Sequence, residues 1–127
     1  MRGTVKTDAA PKAIGPYAQA IVAGDMVFCS GQIPLDPVSG TLVTGTIEDE
    51  TRRVLDNLEA VLRAAGCNLG DVVKTTIFVI DLGHFAAINK VYGDRFGSNP
   101  PARATVQVAA LPKGARIEIE AIALRDQ

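Results

Sequence analysis

Among the five charged residues of the stretch from Asn99 to Ala123, "NPPARATVQVAALPKGARIEIEAIA", Arg103 and Glu118 stand where a plain strand would not want charge. Arg103 follows the pair Pro100 and Pro101, where a loop enters a strand and a side chain can project into a cleft. A guanidinium placed there grips a carboxylate bidentately. Glu118 shares its strand face with Glu120, Ile122 and Leu124, so that face passes from charged to apolar within a few positions. One reading leaves both glutamates solvated near a sheet edge. The other puts Glu118 at the rim of a partly buried cleft, where desolvation raises its pKa and suits it to general acid or base work. If the last two strands form a simple hairpin about "LPKGA", Arg103 and Glu118 are offset by about five positions, or roughly 17 Å. That is too far to share one small substrate within a chain. Either the strands pair otherwise, or a second subunit completes the site.

Other chemistry is thin. The single histidine, His84, lies at the edge of an apolar helical stripe and offers one base with no convergent nucleophile. Cys29 and Cys67 are too far apart for a C-x-x-C motif and read as small apolar groups rather than ligands. No spacing of Cys, His or carboxylate matches a metal site. "GTLVTG" lacks the lysine and the strand-to-helix setting of a phosphate loop.

The elements that must position these residues follow from periodicity. The first third alternates turn signals with short apolar runs and reads as two or three strands, with a hairpin turn at Gly24-Asp25. From Ile47, the residues Val54, Leu55, Leu58, Val61, Leu62 and Ala65 recur at spacings of three and four, which predicts a helix. Thr46 with Asp49 resembles a capping box, and Gly66 is placed to end the helix. The opposite face, with Glu48, Arg52, Arg53, Asp56, Glu59 and Arg63, reads as solvated surface.

"DVVKTTIFVID" is rich in β-branched residues and predicts a strand, with Val73, Thr75, Ile77 and Val79 on one side. "LGHFAAINKVYGDRFG" returns to helical spacing through Phe85, Ile88, Tyr92 and Phe96, with Pro100 and Pro101 ending it. The expected fold is α+β: one mixed sheet of about six strands covered on one face by two helices. The strands are apolar on both faces, so something must cover the second, and another copy of the chain is the obvious candidate.

With 127 residues the chain is one domain, 1–127, large enough to build a core. It is 47% hydrophobic and 21% charged, which argues against disorder. A net charge of -1 and 5% aromatic residues make nucleic acid an unnatural partner. No apolar run reaches signal-peptide or membrane-span length, so a soluble, cytoplasmic protein without a membrane partner is expected.

The segments "AIGPYAQA", "SGQIPLDP", "LDNLEAVLRAAG", "GDVVKTTIFVIDL", "FAAINKVY" and "PPARATVQVAALPKGARIEIEAIAL" together resemble the Rid family of reactive-intermediate deaminases, also called YjgF and often labelled L-PSP endoribonucleases. The resemblance runs through nearly the whole chain, in order. It implies a chorismate-mutase-like α+β fold assembled as a homotrimer with clefts between subunits. It also implies hydrolysis of 2-iminobutanoate and 2-iminopropanoate to 2-oxo acids and ammonia, with no metal or other cofactor. The family's carboxylate-binding arginine falls on Arg103 and its water-positioning glutamate on Glu118. Tyr17, Ser30, Gly31 and Asn89 fall on cleft-lining positions. Many members carry cysteine where this chain has Thr105, which leaves a backbone N–H for the carboxylate and removes any role for a thiol. The alternatives are an endoribonuclease or translation inhibitor, and a non-catalytic ligand-binding trimer that would use Arg103 without Glu118.

Overall fold

A computed structural model describes residues 2–125. Strands β1 (Arg2–Val5), β2 (Ala20–Ala23) and β3 (Met26–Gln32) come first, then helix α1 (Ile47–Ala64). Strand β4 (Val72–Val79), helix α2 (Phe85–Phe96), β5 (Ala102–Gln107) and β6 (Ile117–Leu124) complete the chain. The six strands form one sheet in the order β1-β2-β3-β6-β4-β5. Every neighbouring pair is antiparallel except β4 and β5, which are parallel and joined through α2. The expected mixed sheet with two helices is therefore what the chain forms. No helix among the described residues is long and apolar enough to cross a membrane.

Local chemistry sets the elements as the sequence predicts in most places. The β2–β3 hairpin turns at Gly24-Asp25, with Ala23 opposite Met26 and Gly24 at φ 60°, the left-handed backbone such a turn needs. Thr46 caps α1 by accepting from the Asp49 N–H, and Gly66, at φ 84°, ends it. Val54, Leu55, Leu58, Val61 and Leu62 are fully buried, each contributing about 1.5–3 kcal/mol by leaving water. They meet the inward face of β6, where Ile117, Ile119, Ala121 and Ala123 are buried while Glu118, Ile122 and Leu124 are half-buried and Glu120 is exposed.

One open alternative is decided and three expectations are corrected. The last two strands do not form a hairpin, because β4 lies between them and pairs with both. Val73 is 42% exposed: a bulge between Val72 and Lys74 hands its inward place to Val72, since one extra residue reverses the alternation. Helix α2 ends at Phe96 on Gly97, at φ 71°, before the prolines are reached. Finally, Asp56 and Glu59 on the outer face of α1 are not merely solvated, because Arg95 of α2 pairs with both, at 2.8 and 3.2 Å.

Two ties hold the fold around the candidate site. Glu50, buried on α1, forms a bidentate ion pair with Arg116, which also donates to the Gly45 carbonyl at 2.9 Å, just before β6 begins. Gln19, also buried, accepts from the Thr7 N–H at 2.7 Å and donates to the Thr7 and Pro11 carbonyls at 3.0 and 2.8 Å. Its amide thereby clamps the irregular segment that runs up to Tyr17.

Candidate active site

Glu118 leaves β6 on the face the helices do not cover, opposite Phe78 of β4. On the neighbouring strand, Cys29 pairs with Ala121 and Gln32 with Ile119. Three steps on β3 therefore match two on β6, and the extra residue makes a bulge at Ser30-Gly31. The bulge brings Gly31 under the glutamate: a Cβ built on Gly31 lies 2.8 Å from Glu118 Cδ. Only glycine leaves room for the carboxylate there.

Ser30, beside it, donates through Oγ to the Ala18 carbonyl at 2.6 Å, while its N–H donates to the Gln19 carbonyl at 2.9 Å. Both bonds fix the chain next to Tyr17, whose ring is 53% exposed. Tyr17, Ser30, Gly31 and Glu118 line one cleft of about 460 Å³, with Ile14 and Lys113 at its sides. A neighbouring hollow of about 380 Å³ shares Tyr17, Lys12 and Gln19, but Glu118 faces only the larger cleft. Burial is the main cause that raises the proton affinity of Glu118, and the charge of nearby Glu120 adds to it. A carboxylate so placed is a stronger base than one in water.

Arg103, Asn89 and Thr105 gather elsewhere. Arg103 pairs with Thr75 and Thr105 with Ile77 on β4, both buried on the helix-covered face. Arg103 Nη1 donates to Asn89 Oδ1 at 2.7 Å. Its guanidinium carbon lies 5.3 Å from the Phe85 ring centre and 5.0 Å from that of Tyr92. Helical spacing read Phe85 as core; the structure leaves it 40% exposed and against Arg103 instead.

β5 is an edge strand, and the Val108 N–H donates to the Val79 carbonyl at 2.8 Å. Alternation along a parallel pair then points the N–H groups of Ala104 and Val106 toward β4 and those of Arg103 and Thr105 toward the free edge. The Thr105 N–H thus faces outward. Its hydroxyl is buried without a hydrogen-bonding partner.

Parity separates the two groups. Glu118 sits opposite Phe78 and Arg103 opposite Thr75, three residues apart on one strand, and an odd separation puts their side chains on opposite faces. The cleft residues Tyr17, Ser30, Gly31 and Glu118 converge within a chain; Arg103, Asn89 and Thr105 form a second group that does not reach them. The uncovered face that bears Glu118 also shows apolar side chains, with Phe28 44% and Val106 41% exposed.

Sequence reasoning missed the roles of Phe85 and Tyr92 beside Arg103, and of Gln19 behind Tyr17. The spacing of Phe85, Asn89 and Tyr92, four then three residues, was the available signal, since it puts all three on one helical face. Nothing in the spacing of Gln19 marks it, because its partners are backbone groups of an irregular segment.

Comparison with known proteins agrees with this architecture. Among curated proteins, the human 2-iminobutanoate/2-iminopropanoate deaminase is 49% identical over 125 residues, covering 98% of this chain and 91% of the human one. Among solved structures, a Thermotoga maritima protein described as a candidate endoribonuclease superposes with a TM-score of 0.97 at 55% identity, over the whole of both chains. A member of the Rid protein family from Yersinia pestis superposes at 0.95 with 48% identity, covering 98% of this chain and 99% of its own. The pattern of the endoribonuclease L-PSP family matches residues 7–125, and with relatives this similar over nearly their whole length, the chain belongs to that family, which includes the Rid proteins.

Proposed function

We propose that this protein is a 2-iminobutanoate/2-iminopropanoate deaminase, hydrolysing reactive imino acids to 2-oxo acids and ammonia. The observation that carries the reading is the half-buried Glu118 carboxylate, seated over Gly31 at the wall of the Tyr17 cleft with its proton affinity raised by burial. Relatives named for this activity, at 49% identity in human and rat, support it.

A protonated imino acid has an electrophilic C2 and a carboxylate. Glu118 takes a proton from water as its oxygen bonds to C2 and the C=N π electrons move to nitrogen. It then returns that proton to the amine; as the C–N bond breaks, the hydroxyl O–H electrons form the C=O bond, the hydroxyl proton passes to Glu118 and on to water, and the 2-oxo acid and ammonia leave. One carboxylate serves as base and then acid, which a raised pKa favours. The substrate carboxylate is held by Arg103 and by the outward N–H of Thr105, with Tyr17 closing the cleft and Ser30 holding Tyr17 in place.

Because Arg103 and Glu118 of one chain point to opposite faces, the site is assembled from two copies: the Arg103 edge of one beside the Glu118 face of the next. Such a contact joins unlike surfaces, and a closed ring of three satisfies it in every copy. The exposed Phe28 and Val106 are the apolar surface such packing would cover.

The test is ammonia release from imines generated in situ by an amino-acid oxidase. Wild type should accelerate it, and Glu118→Ala and Arg103→Ala should each lose about 100-fold or more. Normal deamination by Arg103→Ala would overturn the reading. RNA cleavage that survives both substitutions and repeated purification would instead favour an endoribonuclease.

A further inference from the structure

The arginines that this fold fixes are mostly held by carboxylates: Arg95 by Asp56 and Glu59, Arg116 by Glu50, Arg52 by Asp49. Arg53 instead meets an amide oxygen, that of Asn57 at 3.1 Å, and Arg103 adds aromatic rings to such an amide. Among the described residues it makes no ion pair; its neighbours are the Asn89 amide oxygen and the rings of Phe85 and Tyr92.

These three residues stand at the first, fifth and eighth positions of α2, one face of the helix. The Tyr92 ring is itself locked, because its hydroxyl shares a 2.6 Å hydrogen bond with Thr75, and both groups are buried. Thr75 is also the cross-strand neighbour of Arg103, so the bond ties α2 to β4 directly beside the residue that carries the guanidinium. A second tie holds the approach to the helix, where the Leu82 N–H donates to Gln107 Oε1 on β5 at 2.9 Å.

A carboxylate holding Arg103 would occupy its donor fork and compete with any incoming anion. Rings attract the cation without taking its N–H groups, and one amide oxygen takes one of five. The side chain is therefore ordered while most of its donors, and all of its charge, stay open.

We propose that the Phe85, Asn89 and Tyr92 face of α2 is a neutral rack that presents Arg103 to the substrate carboxylate. Phe85 and Tyr92 are positioning residues, and Asn89 acts through Arg103. The inference rests on the deaminase reading and adds to it the origin of carboxylate selectivity. Without the rack, an exposed arginine must be ordered at the moment of binding, which weakens affinity for the carboxylate and leaves the chemistry at Glu118 alone.

The experiment measures binding of 2-oxobutanoate and of its uncharged primary amide, together with KM and kcat for the imine, in wild type, Arg103→Ala, Tyr92→Leu, Tyr92→Phe and Phe85→Leu. Tyr92→Leu and Phe85→Leu should each bind the acid about 10-fold more weakly and raise KM in step, with kcat within about twofold and amide binding unmoved. Tyr92→Phe keeps the ring and should recover most of the lost affinity. Phe85 is partly exposed, so its variant remains informative if Tyr92→Leu fails to fold. Acid binding equal to wild type in the leucine variants, or equal loss of acid and amide, overturns the rack. Equal acid binding by wild type and Arg103→Ala instead overturns the underlying assignment of Arg103.

Discussion

Arg103 and Glu118 project from opposite faces of one sheet, because their partners on the intervening strand, Thr75 and Phe78, are three residues apart. Three residues along β4 amount to roughly 10 Å, with two strand spacings of roughly 5 Å to cross besides. Distance alone could be closed by long side chains; the reversal of face cannot. Under the proposed function, an acid-base group and an anion hook for one small substrate would then come from two copies of the chain.

The room beneath Glu118 depends on Gly31. In Gly31→Ala the new methyl would collide with the carboxylate group, which lies 2.8 Å from its position, and push it toward the cleft. Displacement of a base by about 1 Å costs about 100-fold in rate. Steady-state assays should show that loss in kcat, with binding of 2-oxobutanoate at Arg103 largely kept.

Glu118 also links activity to stability. Its proton is held more tightly in the folded chain than in the unfolded one, first through burial and then through Glu120. That stabilises the fold below the unfolded pKa and is lost as pH rises through the folded one. Glu118→Gln should therefore melt at a higher temperature than wild type near pH 7, and the difference should close toward about pH 4. In wild type, kcat/KM should climb with pH as Glu118 ionises. Glu120→Gln removes the second cause and should move that rise to lower pH.

Much of this was legible beforehand. Alternation in "IEIEAIA" placed Glu118 on the less buried face of β6, and spacings of three and four marked α1 down to its Thr46 cap and Gly66 stop. Pairing order was not legible, because a strand patterned as half of a hairpin is equally suited to lie beyond a neighbour reached through a helix. Nor were the bulges at Val73 and at Ser30-Gly31, since one extra residue leaves no compositional mark except the glycine. Phe85 looked like core because periodicity reports which helical face a residue shares, not what lies opposite it.

Thr105 separates its two polar groups, the N–H toward the free edge and the hydroxyl into a buried place without a partner. Thr105→Val removes an unpaired buried group and should raise stability by about 1 kcal/mol, read from the urea midpoint. Thr105→Pro removes the outward N–H instead. An edge strand tolerates proline on its unpaired side, so this variant should fold and yet bind 2-oxobutanoate about 10-fold more weakly.

The Glu50–Arg116 pair anchors the start of β6 to α1 and so supports Glu118 two residues on. Arg116→Ala leaves a carboxylate that is 3% exposed without its partner, at a cost of about 3 kcal/mol. Glu50→Gln keeps a hydrogen-bonding acceptor beside a partly exposed arginine and should cost clearly less. Denaturant unfolding of the two variants would show whether the costs fall in that order.

The claim that two copies build each site is tested most directly by mixing two inactive variants. Arg103→Ala and Glu118→Ala chains, co-refolded in equal amounts, place an intact Arg103 beside an intact Glu118 at about a quarter of the contacts in a closed ring. Imine hydrolysis should then return to about a quarter of the wild-type rate, although each variant alone stays inactive. A mixture as inactive as its parents, with exchange of subunits verified by native mass spectrometry, would contradict the account.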